Sequence, residues 1–164
     1  MATRSTIALL REDGTVAKVY CHWDGYLENN GKLLVENYDT AEKVEALLAH
    51  GDISSLGTCV GERHPFDTYN LDKLSAEDRA LAERAQAEGW TLYYGRDRGE
   101  TGTEAKVYTD LGLYEKNAQF EEFNYCFIYG TWYYVSYDGV VRSVEDGLAA
   151  RAAVGEAAEE EEMV

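Results

Sequence analysis

The segment Tyr20-Cys21-His22-Trp23-Asp24-Gly25-Tyr26 gathers an imidazole, an indole, a carboxylate and a phenol at the end of a strand-like run. Such a set can stack on a polar planar ligand and hydrogen-bond to its edge, and Gly25 lets the backbone approach closely or take a positive φ. His22 and Asp24, two residues apart on a strand, share a face and permit a general acid-base pair. A Cys21 nucleophile served by His22 is disfavoured by the same alternation, which sends neighbouring side chains to opposite faces. The second group is Tyr93-Tyr94-Gly95-Arg96-Asp97-Arg98-Gly99-Glu100, a strand end running into a glycine-flanked loop. Arg96 and Arg98 bracket Asp97, so their guanidiniums can hold a phosphate or carboxylate while the aspartate orients one of them. With Arg4 they form an island of positive potential in an acidic chain. The competing reading is internal, with these arginines pairing to the chain's own acids. The candidate ligand contacts are therefore Arg4, His22, Trp23, Asp24, Tyr26, Tyr94, Arg96, Asp97 and Arg98.

Other chemistries leave no pattern. His22, His50 and His64 lack the spacing of a helical metal site, and the chain carries no phosphate-binding loop, dinucleotide fingerprint or serine-hydrolase elbow. Cys21, Cys59 and Cys126 are odd in number and contain no C-x-x-C pair, so neither a disulfide framework nor a zinc finger is indicated. No metal or cofactor is called for. No apolar run approaches the roughly 20 residues that cross a bilayer, and the N-terminus lacks the apolar core of a signal peptide.

Charge bounds the partners. The formal net charge is −16, from 31 acidic and 15 basic residues. The tail acids Glu156, Glu159, Glu160, Glu161 and Glu162 do not account for this excess, so the body is acidic in its own right. Such a field repels nucleic-acid phosphates and anionic membranes, and it speeds encounter with basic protein surfaces, including those that normally hold DNA or RNA. The plainer alternative is solubility alone.

Apolar residues make up 45% of the chain, which is ample for one hydrophobic core and argues against disorder of the body. The elements that position the two groups are readable. Ser5 to Arg11 and Thr15 to His22 are β-rich runs joined through Glu12-Asp13-Gly14, a hairpin signal that delivers His22-Trp23-Asp24 at the end of the second strand. Leu33 to Tyr38 fits either a short helix or an extended lead-in. Asp39 followed by Glu42 resembles a capping box and opens a helix from about Thr40 to His50. Asp52 to Asp72 reads as an extended loop. Ser75 and Asp78 start a helix that stops at Gly89, Trp90 to Gly95 reads as an aromatic strand, and Asp110 to Ala118 as a helix. Phe123 to Tyr129 and Thr131 to Tyr137 form a hairpin turning at Gly130, whose tyrosines read as a cross-strand ladder more than a ligand platform. Asp138-Gly139 leads to a short Val140-Val141 strand, and Ser143 with Asp146 caps a last helix. The expected fold is α+β, an antiparallel sheet of about five strands with helices packed on one face. Residues 1–153 form a single domain and 154–164 an acidic, disordered tail.

The opening Met1-Ala2-Thr3-Arg4-Ser5, the element His22-Trp23-Asp24-Gly25-Tyr26 and Gly31 resemble a group of small uncharacterised proteins common in bacteriophages and prophages. Those proteins begin with M-[AG]-T-R-S and carry a W/F-D-G-Y element after the first hairpin. Tyr94-Gly95-Arg96-Asp97-Arg98-Gly99-Glu100 looks like a second shared element. The resemblance covers mainly the first 60 residues and this loop, while the middle loop and acidic tail depart from it. It implies a protein acting in the cytoplasm of a bacterial host.

Three readings follow. The leading one is a non-enzymatic inhibitor for counter-defence or host takeover, whose acidic surface blocks a basic host defence or replication protein in the manner of a DNA mimic. The alternative is a small-ligand module that sequesters a nucleotide immune signal, with Trp23 or Tyr94 stacking on a base and Arg4, Arg96 and Arg98 on phosphates. The third is a hydrolase using His22 and Asp24. None requires direct nucleic-acid or membrane contact, and the aromatic hairpin can supply a symmetric interface for a homodimer.

Overall fold

The structure is a computed structural model and describes residues 2–66 and 70–162, the side chains of 156–162 excepted. The N-terminal hairpin joins β1 (Ser5–Leu10) to β2 (Val16–Cys21). A π-helical turn, Leu27–Gly31, runs into α1 (Lys32–Asn37), followed by α2 (Ala41–Leu48) and β3 (Ile53–Ser55). Next come a single 3-10 turn at Leu71–Lys73, α3 (Ala76–Glu88), β4 (Leu92–Tyr93) and α4 (Tyr94–Arg98). The C-terminal part holds β5 (Lys106–Tyr108), α5 (Leu111–Asn117), β6 (Phe123–Ile128), β7 (Thr131–Val135), β8 (Arg142–Ser143) and α6 (Val144–Glu162).

Both hairpins form as their turn residues require. Asp13 Oδ1 accepts from the Thr15 amide at 2.9 Å and from its hydroxyl at 2.7 Å, and Gly14 takes φ 89°. Tyr129 and Gly130 are both left-handed, at φ 46° and 85°, the paired positive values that match the right-handed twist of adjoining strands. Side-chain caps open three of the helices: Ser75, Asp110 and Ser143 accept from the amides of Asp78, Leu113 and Asp146. At α2 the cap is Thr40, which accepts from the Lys43 amide at 3.2 Å, in place of the expected Asp39. Asp39 instead pairs with the Lys43 ammonium at 2.9 Å. Leu33 to Tyr38 resolves as helix, ending at Asn37.

The sheet corrects the expected one. It has eight strands in the order β4-β3-β2-β1-β6-β7-β8, with β5 on the free stretch of β2. It is mixed: β1 runs parallel to β6 and β2 parallel to β3, while the other pairs are antiparallel. The two hairpins are local and announce themselves, but the β1–β6 pairing joins residues more than a hundred positions apart and has no local signature. The strands not foreseen, β3 within the expected loop and β5, are each three residues long, too short for any alternation to register. The expected Val140-Val141 strand falls instead at Arg142–Ser143.

Alternation sorts the side chains. One face carries Ile7, Leu9, Ala17, Val19, Cys21, Phe123, Tyr125, Phe127, Trp132 and Tyr134, all buried against Leu27, Leu34, Val44, Leu47 and Val144 of the helical segments. The aromatic ladder is real: Tyr125 faces Tyr134 and Phe127 faces Trp132 across β6 and β7, with ring centroids 6.5 and 5.2 Å apart. The opposite face is not free of helix, as the sequence led us to expect. Tyr114 of α5 packs there on Ala8, Val16 and Cys126. The remainder of that face, toward β2 and β3, is polar and open. The α6 backbone remains helical to Glu162, past residue 154, where the disordered tail was expected to begin.

Candidate functional site

The chain leaves β2 at Cys21 and is tied at once to its neighbours. The His22 amide donates to Ile53 O and the Trp23 amide to Ser54 O, each at 3.0 Å. Asp24 turns the chain at φ 55°, and Gly25 then donates to Thr3 O at 2.8 Å while its own carbonyl accepts from the buried Tyr125 hydroxyl at 2.6 Å. A Cβ at Gly25 would stand 2.7 Å from the Ser5 Cβ, so close approach, and not a left-handed backbone, is what requires glycine here. Asn30 is fully buried and its amide nitrogen reaches Ser5 Oγ, the Cys21 sulfur and the Trp23 carbonyl. Burial pushes the Cys21 thiol up to about 11, so it is protonated and inert at neutral pH.

The side chains of this segment divide. His22 Nδ1 lies 2.7 Å from the Tyr20 hydroxyl and its ring meets the Trp23 ring edge-on at 4.6 Å. No ion pair joins His22 to Asp24, whose carboxylate points to solvent in the turn, so the acid-base pair is not assembled in this conformation. Trp23 and Tyr26 are 44% and 38% exposed, large enough fractions to offer ring faces to a ligand.

β3 brings the second group beside the first. Tyr94 stands at the start of α4, and burial raises its pKa. Its ring lies 5.8 Å from Phe66, and the Arg98 guanidinium sits 4.9 Å over Phe66. Arg4 is exposed, and its charge acts on Tyr20. A strip of exposed or half-exposed groups thus runs Arg4, Tyr20, His22, Trp23, Tyr94, Phe66 and Arg98.

Arg96 and Asp97 are used differently. The segment expected to be a glycine-flanked loop is the short helix α4, and its geometry turns these two inward. The Asp97 carboxylate is fully buried; it accepts from the Tyr93 and His64 amides at 2.7 and 2.8 Å and from Arg96 Nε at 2.8 Å. Arg96 also donates to the carbonyls of Val60, Gly61 and Thr91 and lies 4.6 Å over the Tyr93 ring. Every nitrogen of that guanidinium has an internal acceptor. This pair staples the 57–64 loop to β4, the internal reading of the sequence motif, and offers no phosphate a hydrogen bond.

The residues sequence reasoning missed lie beneath the strip, on the open face of the sheet. Thr6, Lys18, Tyr20, Asp52, Lys106, Gln119 and Glu121 line a polar cavity of about 140 Å³. Lys18 is only 6% exposed and donates to the Gln119 carbonyl at 3.0 Å. Burial, followed by repulsion from Lys106, lowers its pKa. Asp52 accepts from the Tyr20 amide at 2.9 Å, and burial raises its pKa. One signal was present: Lys18 interrupts the run Val16-Ala17-Val19, facing away from the apolar side. Lys106, its partner across the ladder, belongs to a strand that the sequence hides in a polar loop.

Among the described residues no group of three or more His, Cys, Asp or Glu side chains is arranged to hold a metal ion, and no helix is long and apolar enough to cross a membrane. Compared with known proteins, the chain matches no family model, no curated protein and no solved structure.

Proposed function

We propose that this is a phage-encoded, non-enzymatic binding protein that acts in counter-defence or host takeover, its acidic surface blocking the nucleic-acid-binding face of a basic host protein. The observation that carries this reading is an acidic end of the molecule. Because β1 and β6 are parallel neighbours, the tips of both hairpins emerge side by side. There Glu12, Asp13 and Glu45 share one groove with Tyr129 and Gly130, and Asp39 and Glu145 share the next one with Gly130. Tyr129 is 84% exposed in their midst, an amphipathic anchor of the kind that interfaces favour. Arg11 and Lys43 offset Glu45 and Asp39, at 2.6 and 2.9 Å, so the excess charge of this end is carried by Glu12, Asp13 and Glu145. Across the chain, eight of the nine arginines pair with the protein's own acids, so the excess of carboxylate is left to face outward.

Carboxylates arrayed beside a tyrosine offer a basic groove what a nucleic-acid backbone offers: fixed negative charge with an aromatic contact. The test is capture from a bacterial lysate on the immobilised protein, with duplex DNA as competitor. A nucleic-acid-binding protein that is retained, displaced by DNA and lost from a Glu12→Lys/Asp13→Lys variant supports the proposal. Retention unaffected by DNA and by that variant refutes it.

A second reading, a module sequestering a nucleotide signal, is favoured by the exposed strip of Trp23, Tyr94, Arg4 and Arg98. Arg96 takes no part in it. Nucleotide affinity that survives Trp23→Ala removes its support.

A further inference from the structure

We propose that the cavity on the open face of the sheet binds a small zwitterionic carboxylate the size of a free α-amino acid, its carboxylate held by Lys18 and Lys106 and its ammonium by Asp52 and Glu121. Lys18 and Lys106 are direct partners across the antiparallel β2–β5 ladder. Like charges placed so are destabilising unless something lies between them. Among the described residues neither ammonium has a carboxylate within 4 Å, although both reach the same cavity. Lys18 has three donors, and the only acceptor it meets among the described residues is the Gln119 carbonyl. It is a buried cation with donors to spare. Asp52 is its counterpart: Oδ1 accepts from the Tyr20 amide at 2.9 Å, and the residue lines the same cavity as the lysines without forming an ion pair to either. Burial disfavours the charged form of both, as their opposite pKa shifts record.

The ligand class follows from this charge pattern. A simple anion would gain the lysines but meet Asp52 and Glu121, and a simple cation would meet the reverse. A ligand carrying both charges satisfies the two pairs without adding net charge to a partly enclosed site. Size agrees, since the cavity is about 140 Å³ where roughly 10–15 Å³ holds one water. Tyr20 and Thr6 complete the wall, their hydroxyls bonded to His22 and Asn124. The cavity shares no residue with the acidic end, so this inference and the proposed docking function stand or fall separately.

The experiment is a backbone-amide NMR titration of the full chain with each proteinogenic α-amino acid, beside the corresponding decarboxylated amine and deaminated acid. The expected result is that at least one amino acid produces saturable shifts at Lys18, Asp52 and Lys106, and that its amine and acid analogues do not. Lys106→Gln, at the exposed rim where folding is not at stake, should weaken that binding about tenfold or more, and Asp52→Asn likewise. The proposal is overturned if no amino acid saturates, if the acid analogue binds as well as the amino acid, or if Lys106→Gln binds with unchanged affinity in a spectrum that is otherwise native.

Discussion

Two cationic clusters of this protein have opposite fates. Arg96 is enclosed with Asp97 and has an acceptor for each nitrogen. Lys18 is enclosed opposite Lys106, its like, which stands at the exposed rim, and it holds a single carbonyl. Both are buried positive charges, and burial alone does not distinguish a structural group from a functional one. What distinguishes them is whether the fold completes their hydrogen bonding. A completed set is a staple, and an incomplete set facing a cavity is an invitation to a ligand.

The sharpest way to break this comparison is Asp97→Ala. It strands the Arg96 guanidinium and the amides of His64 and Tyr93, and should cost about 3–5 kcal/mol in denaturant unfolding. A loss below about 1 kcal/mol would show that the staple is not one. Lys18→Met should do the reverse, leaving stability within about 1 kcal/mol of the parent or raising it, because a costly buried cation is replaced by an apolar chain of similar length. A loss comparable to that of Asp97→Ala would make Lys18 structural as well.

pH separates the clusters further. Burial holds the folded Tyr93 phenol above its ordinary 10.0, so its contribution is complete below pH 10.0 and is lost as pH rises beyond it. Burial holds the folded Lys18 below its ordinary 10.5, so between the lowered value and 10.5 the unfolded chain binds more protons and stability rises with pH. The stability advantage of Lys18→Met over the parent should therefore shrink as pH approaches 10.5, followed by unfolding curves in an alkaline series. A gap that widens with pH contradicts the assignment. The smallest effect belongs to the exposed strip: Trp23→Ala should change stability by about 0.5 kcal/mol or less while removing any stacking ligand.

The contrast also shows what the chain discloses of itself. Hairpins were legible wherever a turn residue and flanking alternation coincide, as at Gly14 and Gly130, and helices wherever a Ser or Asp cap precedes the apolar stripe, as at Ser75 and Asp110. Thr40 displaced Asp39 as a cap because adjacent oxygen-bearing residues give the same signal. The parallel β1–β6 seam was invisible, since nothing local to either strand names its partner. For the site, the density of groups at His22-Trp23-Asp24 was legible, and so was the choice at Arg96-Asp97 between ligand and internal pair. Its outcome depended on carbonyls at Val60, Gly61 and Thr91 that only the fold brings near. The Lys18–Lys106 cavity needed a three-residue strand that no periodicity reveals.

The measurement that tests the docking account most directly is the salt dependence of the dissociation constant between this protein and the nucleic-acid-binding partner it captures. The account predicts affinity that falls steeply and linearly on logarithmic axes as salt rises, with duplex DNA competing for the same face. An affinity indifferent to both salt and DNA would contradict it.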